Sequence, residues 1–135
     1  MDNSLNDMDA IYQYTRQSLI DDGLLVEVST DIAQQAGFRV PVGILTEVWQ
    51  DCIEWTDEDS ERQQVFQDEI GRLWDLLNVL RVRAKACGGD TVFFTISRIP
   101  RDGKSKRPEN VKLKSVIGPG DNREPVITVM FPNQD

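Results

Sequence analysis

The stretch from residue 66 to residue 97, FQDEIGRLWDLLNVLRVRAKACGGDTVFFTIS, changes its hydrophobic period at two adjacent glycines. Before Gly88, apolar residues recur every three or four positions, which is typical of an amphipathic helix. After Asp90 they alternate with more polar residues, which is typical of a strand with one buried face. A helix followed by such a strand indicates an α+β fold, and the flanking sequence extends both patterns.

Upstream of this stretch the chain is predicted to be mainly helical. Thr56, with Asp59 three residues later, has the spacing of a capping box, so the longest helix is expected to start there. Its apolar stripe would include Phe66 and Ile70. The predicted helices cover residues 9–20, 29–37, 43–55 and 56–86, and an extended segment is expected at 24–28.

Downstream, three segments have a period of two. They cover residues 91–97, 111–117 and 126–131, and turns rich in glycine and proline separate them. Sequential strands joined by turns favour an antiparallel meander. We therefore expect N-terminal helices, including one long helix, packed on a C-terminal three- or four-stranded antiparallel β-sheet. Residues 1–135 are expected to form a single domain, mainly helical at 1–89 and stranded at 90–135.

The composition argues against several classes of function. The chain has no histidine, which removes Ser-His-Asp and Cys-His nucleophile pairs and HExxH metal sites. It has no P-loop motif, and we predict neither a cofactor nor a metal site. No apolar run approaches the roughly 18 residues that span a membrane, and residues 1–4 do not begin a secretory signal, so a cytoplasmic protein is expected. Cys52 and Cys87 are predicted to be buried thiols.

Charge is divided unevenly along the chain. Residues 1–80 contain 17 acidic and four basic side chains, whereas residues 81–135 contain six acidic and 11 basic ones. Such asymmetry indicates two partner surfaces or an internal electrostatic match, and solvated faces that keep the protein soluble are a third interpretation. The sequence does not decide whether the two regions face each other.

The acidic side chains are densest between residues 47 and 61, where no basic residue occurs. They are Glu47, Asp51, Glu54, Asp57, Glu58, Asp59 and Glu61. Carboxylates arrayed on a helix can imitate the spacing of phosphates, so this segment predicts a surface for a basic protein partner. Trp55 lies off the apolar face beside these acids, and an exposed tryptophan there would act as a binding hot spot. Capping of a helix N-terminus is the alternative interpretation of the acids after Thr56.

The basic side chains are densest between residues 98 and 114. They are Arg98, Arg101, Lys104, Lys106, Arg107, Lys112 and Lys114. Clustered Lys and Arg on a protruding hairpin form the best candidate for contact with nucleic acid. Against it, the net charge of the chain is −8, and the hairpin has no interleaved aromatic residue for base stacking.

Several motifs resemble an uncharacterised bacterial domain family that occurs mostly on plasmids and other mobile elements. They are residues 11–16 (IYQYTR), 22–26 (DGLLV), 36–38 (AGF), 41–42 (PV), 48–52 (VWQDC), 67–75 (QDEIGRLWD), 116–121 (VIGPGD) and 125–129 (PVITV). The resemblance covers nearly the whole chain. It implies no established activity, so it supplies no catalytic residue.

The C-terminal half is also loosely similar to the barnase–EndoU–colicin–RelE group of RNase folds. The similarity lies in a helix followed by antiparallel strands that end in residues 126–132 (VITVMFP). It implies an RNase-like or toxin-related domain in which Arg98, Lys112, Lys114 and Thr128 would act in place of histidine. A shared fold does not by itself supply a function.

Two functions are therefore expected from the sequence. The first is a non-enzymatic interaction protein or inhibitor of a mobile element, which blocks a nucleic-acid-binding host defence protein in the manner of an anti-CRISPR or anti-restriction protein. The second is an RNase-like domain that acts on nucleic acid through the basic hairpin. A structural module with neither activity is a third interpretation, and the sequence leaves the oligomeric state open.

Overall fold

The computed structural model describes residues 15–134, and this part of the chain contains five helices and five strands. The helices are α1 (Arg16–Asp21), α2 (Thr30–Gln35), α3 (Thr46–Val48, continued by a π-helical turn over Trp49–Ile53), α4 (Asp57–Gln63) and α5 (Glu69–Cys87). The strands are β1 (Leu25–Glu27), β2 (Val42–Leu45), β3 (Thr91–Arg98), β4 (Glu109–Pro119) and β5 (Pro125–Met130). The predicted α+β class is confirmed. The predicted helix at 9–20 is seen only from Arg16 onward, and its earlier part lies outside the described residues.

The five strands form one mixed sheet in the order β1-β2-β5-β4-β3. Strands β3, β4 and β5 pair antiparallel in sequence order, so the predicted meander is confirmed. Strand β2 pairs parallel to β5 and antiparallel to β1. The expectation of three or four antiparallel strands is therefore wrong in two respects, because the sheet has five strands and one parallel pairing.

Strand β2 replaces the first turn of the helix that was predicted from residue 43. Val42 and Ile44 are fully buried, and they lie beside Ile127 and Val129 of β5 in the parallel register. A short apolar run that is buried by neighbouring strands has no clear period, and it therefore looks the same in sequence as the start of a buried helix. The helical part, α3, begins only at Thr46.

The predicted long helix is two helices. Gln64 ends α4 in the left-handed region at a φ of 57°, and the Asp68 side chain starts α5 by accepting a hydrogen bond from the Gly71 N–H at 2.6 Å. The chain between them leaves the helical path, so Phe66 does not join the apolar stripe, and Ile70 lies on the exposed side of the first turn of α5. The capping box expected at Thr56 and Asp59 is confirmed.

The core lies between the helices and one face of the sheet. Leu73, Leu76, Leu77 and Leu80 of α5 are buried in one cluster with apolar residues of α3 and of strands β2 to β5, among them Phe94. Full burial of each such side chain contributes about 1.5–3 kcal/mol. In the described residues, no helix combines the length and the apolar character needed to cross a membrane. This core holds the end of α3, the start of α5 and the end of β3 close together.

Candidate functional site

The acidic and basic segments meet at the end of β3. Asp51, in the π-helical turn, accepts hydrogen bonds from Arg98, the last residue of β3. Arg98 Nε lies 3.1 Å from Asp51 Oδ1, and Arg98 Nη2 lies 3.2 Å from Asp51 Oδ2. The Arg98 side chain is only 14% exposed, so this pair is shielded from solvent more than an ordinary surface ion pair.

A second pairing lies just beyond the end of β3. Arg101 Nε donates to Asp59 Oδ2 at 2.6 Å, and Arg101 Nη1 donates to Glu54 Oε2 at 2.5 Å. Burial by itself raises the pKa of the Asp59 carboxyl, but hydrogen bonds from Thr56 and Arg101 outweigh it and lower that pKa. The hydrogen bond from Arg101 to Asp59 in turn raises the pKa of the guanidinium. Both groups therefore stay ionised at neutral pH.

Arg72 is buried between these two pairs. Its guanidinium donates to the backbone carbonyls of Asp51, Ile53 and Ile99 at 3.0–3.2 Å. It also lies over the Trp55 ring, 4.7 Å from the ring centroid. Burial lowers the pKa of Arg72, although a guanidinium remains charged in proteins. Arg72 thus ties the ends of α3 and β3 to α5.

Trp55 is buried, which corrects the expectation that it is exposed. Only 5% of it is accessible, and its Nε1 donates to Ser60 Oγ at 2.9 Å. The ring packs on the Arg72 guanidinium instead of facing a partner. The tryptophan is therefore part of the structure that joins α3 to α5.

The buried side chain of Gln63 holds the loop that follows β3. Its Nε2 donates to the carbonyls of Pro100 and Ser105 at 2.8 and 2.7 Å, and its Oε1 accepts from the Gly103 N–H at 3.1 Å. Asp102 closes the same loop, because its carboxylate accepts hydrogen bonds from the N–H groups of Lys104 and Ser105 and from the Ser105 hydroxyl. The bonds from Ser105 and Lys104 lower the pKa of this carboxyl to about 2. The loop of the basic hairpin is therefore fixed against α4.

The charges that remain outside these pairs lie on α3 and α4 and on the basic hairpin, whose loop packs against α4. The predicted acids Asp57, Glu58 and Glu61 are exposed on α4, and exposed Glu47 accepts a hydrogen bond from Gln134. The predicted bases Lys104, Lys106, Arg107 and Lys112 are exposed, and Lys114 is half-buried on β4. The structure thus brings Asp51, Glu54 and Asp59 together with Arg98 and Arg101, and it leaves the other predicted residues outside this cluster.

A nearly fully exposed aromatic ring lies at the corner between α4 and α5. Phe66 is 94% exposed, and Ile70, four residues later in the first turn of α5, is 52% exposed. Phe66 lines an open groove of about 240 Å³ together with Gln67, Asp68 and Asp75. Arg62 of α4 packs toward the hairpin loop. Its Cδ lies so close to Gly103 that a Cβ atom added to this glycine would be 3.1 Å away from it. The ring is therefore displayed beside carboxylates.

A second exposed aromatic ring lies on the outer face of the sheet. Phe93 is 57% exposed, and the β3–β4 register places it opposite Lys114, with Thr95 opposite Lys112. A groove of about 680 Å³ runs along these residues and reaches Arg83, whose Nε donates to the Phe93 carbonyl at 3.4 Å. An aromatic ring thus lies among basic residues, although the hairpin loop itself has none.

Comparison with known protein families matches one model over residues 1–135, described as a family of unknown function, DUF6573. The chain belongs to the DUF6573 family. This confirms the expected membership of an uncharacterised family. The curated proteins and the solved structures that were searched gave no match.

The two thiols of this DUF6573 chain differ, which corrects the expectation that both are buried. Cys87 is exposed at the end of α5, whereas Cys52 is buried in the π-helical turn. Burial raises the pKa of Cys52 to about 12, and the neighbouring carboxylate of Asp51 adds to the effect. A thiol in that state is a poor nucleophile, so Cys52 packs as a small apolar residue.

In this DUF6573 chain, sequence reasoning missed the exposure of Phe66 and the buried hydrogen-bonding roles of Gln63 and Arg72. The local signal for Phe66 was Asp68, which is a good N-cap residue and could have marked the start of a new helix. Gln63 and Arg72 had no local signal, because the backbone carbonyls to which they donate lie 19 to 42 residues away along the chain. No group of three or more Cys, Asp or Glu side chains within residues 15–134 is arranged to hold a metal ion.

Proposed function

We propose that this DUF6573 chain is a non-enzymatic interaction protein that binds a basic protein partner at the acidic corner. The acidic corner comprises Phe66 and Ile70 with the carboxylates of Asp57, Glu58, Glu61, Asp68 and Asp75. Of the acidic surface expected from the sequence it keeps Asp57, Glu58 and Glu61, and Phe66 takes the place of Trp55 as the aromatic anchor.

The exposure of Phe66 is the observation that carries the proposal. A phenyl ring that is 94% exposed gains nothing from folding, and Ile70, four residues later, is 52% exposed. Partly exposed single apolar residues are common on protein surfaces, but an aromatic ring on a helix corner fits the anchors that dominate binding energy at protein interfaces. Burial of Phe66 in a pocket of the partner would exclude water from the apolar area.

The charge of the corner selects the partner. Asp57, Glu58 and Glu61 keep their carboxylates exposed because Arg98 and Arg101 pair with other acids. Such a surface attracts a basic partner and speeds the encounter, and salt screens this attraction. More specifically, the proposed partner is a nucleic-acid-binding protein of host defence. The chain would occlude the partner's nucleic-acid surface on behalf of a mobile element.

The test compares two exposed phenylalanines. Wild type, Phe66→Ala and Phe93→Ala are used as bait in nuclease-treated lysate of the host, and each retained protein is purified and its affinity measured directly. We expect Phe66→Ala to weaken binding by about 2 kcal/mol or more, and Phe93→Ala to have no effect. Binding should also fall between low and high salt, because the charges are exposed.

Equal binding by wild type and Phe66→Ala would disprove the role of the corner. Loss of binding only in Phe93→Ala would move the interface to the sheet. Neither substitution should change the stability by more than about 0.5 kcal/mol, because both rings are mostly exposed.

A second candidate function is nucleic-acid binding at the outer face of β3 and β4. The specific observation that favours it is the exposed ring of Phe93 next to Lys112 and Arg83, since base stacking and phosphate contacts need this combination. It predicts that Phe93→Ala and Lys112→Ala weaken the binding of single-stranded RNA, whereas Phe66→Ala does not. Cleavage of RNA from a broad panel, lost in Lys112→Ala, would support the RNase-like form, and failure to bind RNA would exclude both forms.

A further inference from the structure

A small polar cavity lies between α5 and the end of β3, next to the acidic corner, with which it shares Asp75. Its volume is about 140 Å³. Its polar lining consists of Gln67, Arg72, Asp75, Ser97 and Arg98. Two of these five side chains are guanidinium groups that the fold withdraws from solvent. The cavity therefore places two guanidinium groups in a partly enclosed space, where Asp51 pairs with one of them and Asp75 also lines the wall.

Arg98 has donors that its own ion pair does not use. A guanidinium carries five N–H groups, and Nε and Nη2 of Arg98 are directed at the two carboxylate oxygens of Asp51. Its Nη1 carries two more N–H groups, is buried, and has no nitrogen or oxygen hydrogen-bond partner within residues 15–134, and the other side chain that the guanidinium faces is the Cys52 thiol, a weak acceptor. Buried polar atoms are nearly always hydrogen-bonded, and an unpaired charged donor is the costliest exception. This nitrogen therefore indicates a ligand that carries an acceptor.

Arg72 adds positive charge, and no carboxylate within residues 15–134 accepts a hydrogen bond from it. In this described part of the chain, its four hydrogen-bond acceptors are the carbonyls of Asp51, Ile53 and Ile99 and the amide oxygen of Gln67, and all four are neutral. Because Arg72 Nη1 holds the Gln67 oxygen at 2.7 Å, the amide nitrogen of Gln67 remains as a further donor. The polar groups around the cavity are thus mostly donors.

We infer that this cavity binds a small tetrahedral oxyanion, either phosphate itself or the phosphate group of a monoester. Donors on Arg98, Arg72 and Gln67 come from different elements, and an acceptor with four oxygens matches such an arrangement better than a planar carboxylate does. Arg72 supplies the positive charge, since Asp51 already pairs with Arg98, which contributes the N–H donors of Nη1. Asp75 is exposed and also lines the cavity, so its carboxylate opposes the anion and lowers the affinity.

The inference is tested with inorganic phosphate and with phenyl phosphate. Melting temperature and NMR shifts are followed during titration of the full chain, with sodium chloride at matched ionic strength as the reference. We expect a saturable shift with phosphate and none with chloride. Tighter binding of phenyl phosphate would assign the site to a monoester, because the groove of Phe66 shares Gln67, Arg72 and Asp75 with the cavity. Weaker binding of the ester would assign it to the free ion.

Two substitutions in the cavity should act in opposite directions. We expect Gln67→Glu to weaken phosphate binding at least about tenfold, because the new carboxylate competes for both guanidinium groups while keeping the hydrogen bond from Arg72. We expect Asp75→Asn to strengthen it about threefold, because an exposed opposing charge is removed. Gln35→Glu and Asp90→Asn make the same charge changes at exposed positions elsewhere and should leave the affinity unchanged.

An equal response of the cavity variants and their matched controls would overturn the inference, since it would show attraction by net charge alone. Absence of a saturable shift in wild type would also overturn it. The protein interface can fail independently, because Phe66→Ala leaves every donor of the cavity in place.

Discussion

The ion pairs at the end of β3 form an interlocked cluster with Arg72, which consists of Asp51, Glu54, Asp59, Arg72, Arg98 and Arg101. This interlocked cluster and the acidic corner use the same kinds of side chain for opposite purposes. In the interlocked cluster, Asp51 and Asp59 pair with Arg98 and Arg101. At the acidic corner, the carboxylates remain exposed beside Phe66. The difference shows that an acidic run in a sequence does not define one surface, because the fold pairs some of its carboxylates with arginines and leaves the others exposed.

The two regions also differ in what they contribute to stability. Partly buried ion pairs and buried donors keep the interlocked cluster in one geometry, since an unpaired member would be costly. Exposed carboxylates at the acidic corner contribute little or nothing to the free energy of folding, because water solvates them equally well before and after folding. Substitutions in the first region should therefore change stability, and those in the second should change binding.

The largest effect is expected from Arg72→Met. The substitution leaves the carbonyls of Asp51, Ile53 and Ile99 without their donor, which should lower the free energy of unfolding by about 3–5 kcal/mol. Urea denaturation measures the change. Lys85→Met, at an exposed position of the same helix, is the control and should cost no more than about 0.5 kcal/mol. Equal losses in both variants would show that Arg72 does not hold the cluster together.

An intermediate effect is expected from acid. The pKa of Asp59 is lower in the folded state than in the unfolded state, so its ion pair with Arg101 contributes stability at pH values above the unfolded pKa. That contribution is lost as the pH falls below about 4 and passes through the folded pKa. Asp59→Asn should therefore lower the stability at pH 7 and flatten its fall toward acid.

Urea unfolding of wild type and Asp59→Asn between pH 2.5 and pH 7 measures this difference. Asp57→Asn is the matched control, because Asp57 is exposed on the same helix. A pH profile for Asp59→Asn that runs parallel to that of wild type would contradict the role of Asp59.

The smallest effect is expected for thiol labelling, which reports on the interlocked cluster without changing it. At pH 8 the native protein should react at Cys87 and not at Cys52, since burial raises the pKa of Cys52 to about 12. Mass spectrometry after iodoacetamide treatment should show one adduct in native protein and two in urea. Rapid double labelling of the native protein would show that the π-helical turn opens readily.

Local sequence signals predicted the elements whose partners are close in the chain. The capping box at Thr56, the alternation of β3 and the turns of the meander all depend on residues a few positions apart, and the structure confirms them. The helix break at Gln64 was missed, because the apolar spacing continued through Phe66 and concealed the new N-cap at Asp68. Periodicity alone cannot distinguish an apolar residue that packs from one that is displayed.

By itself the sequence determined the α+β class, the membership of an uncharacterised family, the absence of histidine chemistry and the separation of charge along the chain. Only the tertiary structure decided the parallel pairing of β2 with β5, the burial of Trp55 and the pairing of Asp51 and Asp59 with Arg98 and Arg101. The physical reason is distance along the chain. Each of the ion pairs joins residues more than 40 positions apart, and local patterns contain no information about contacts that only the folded core creates.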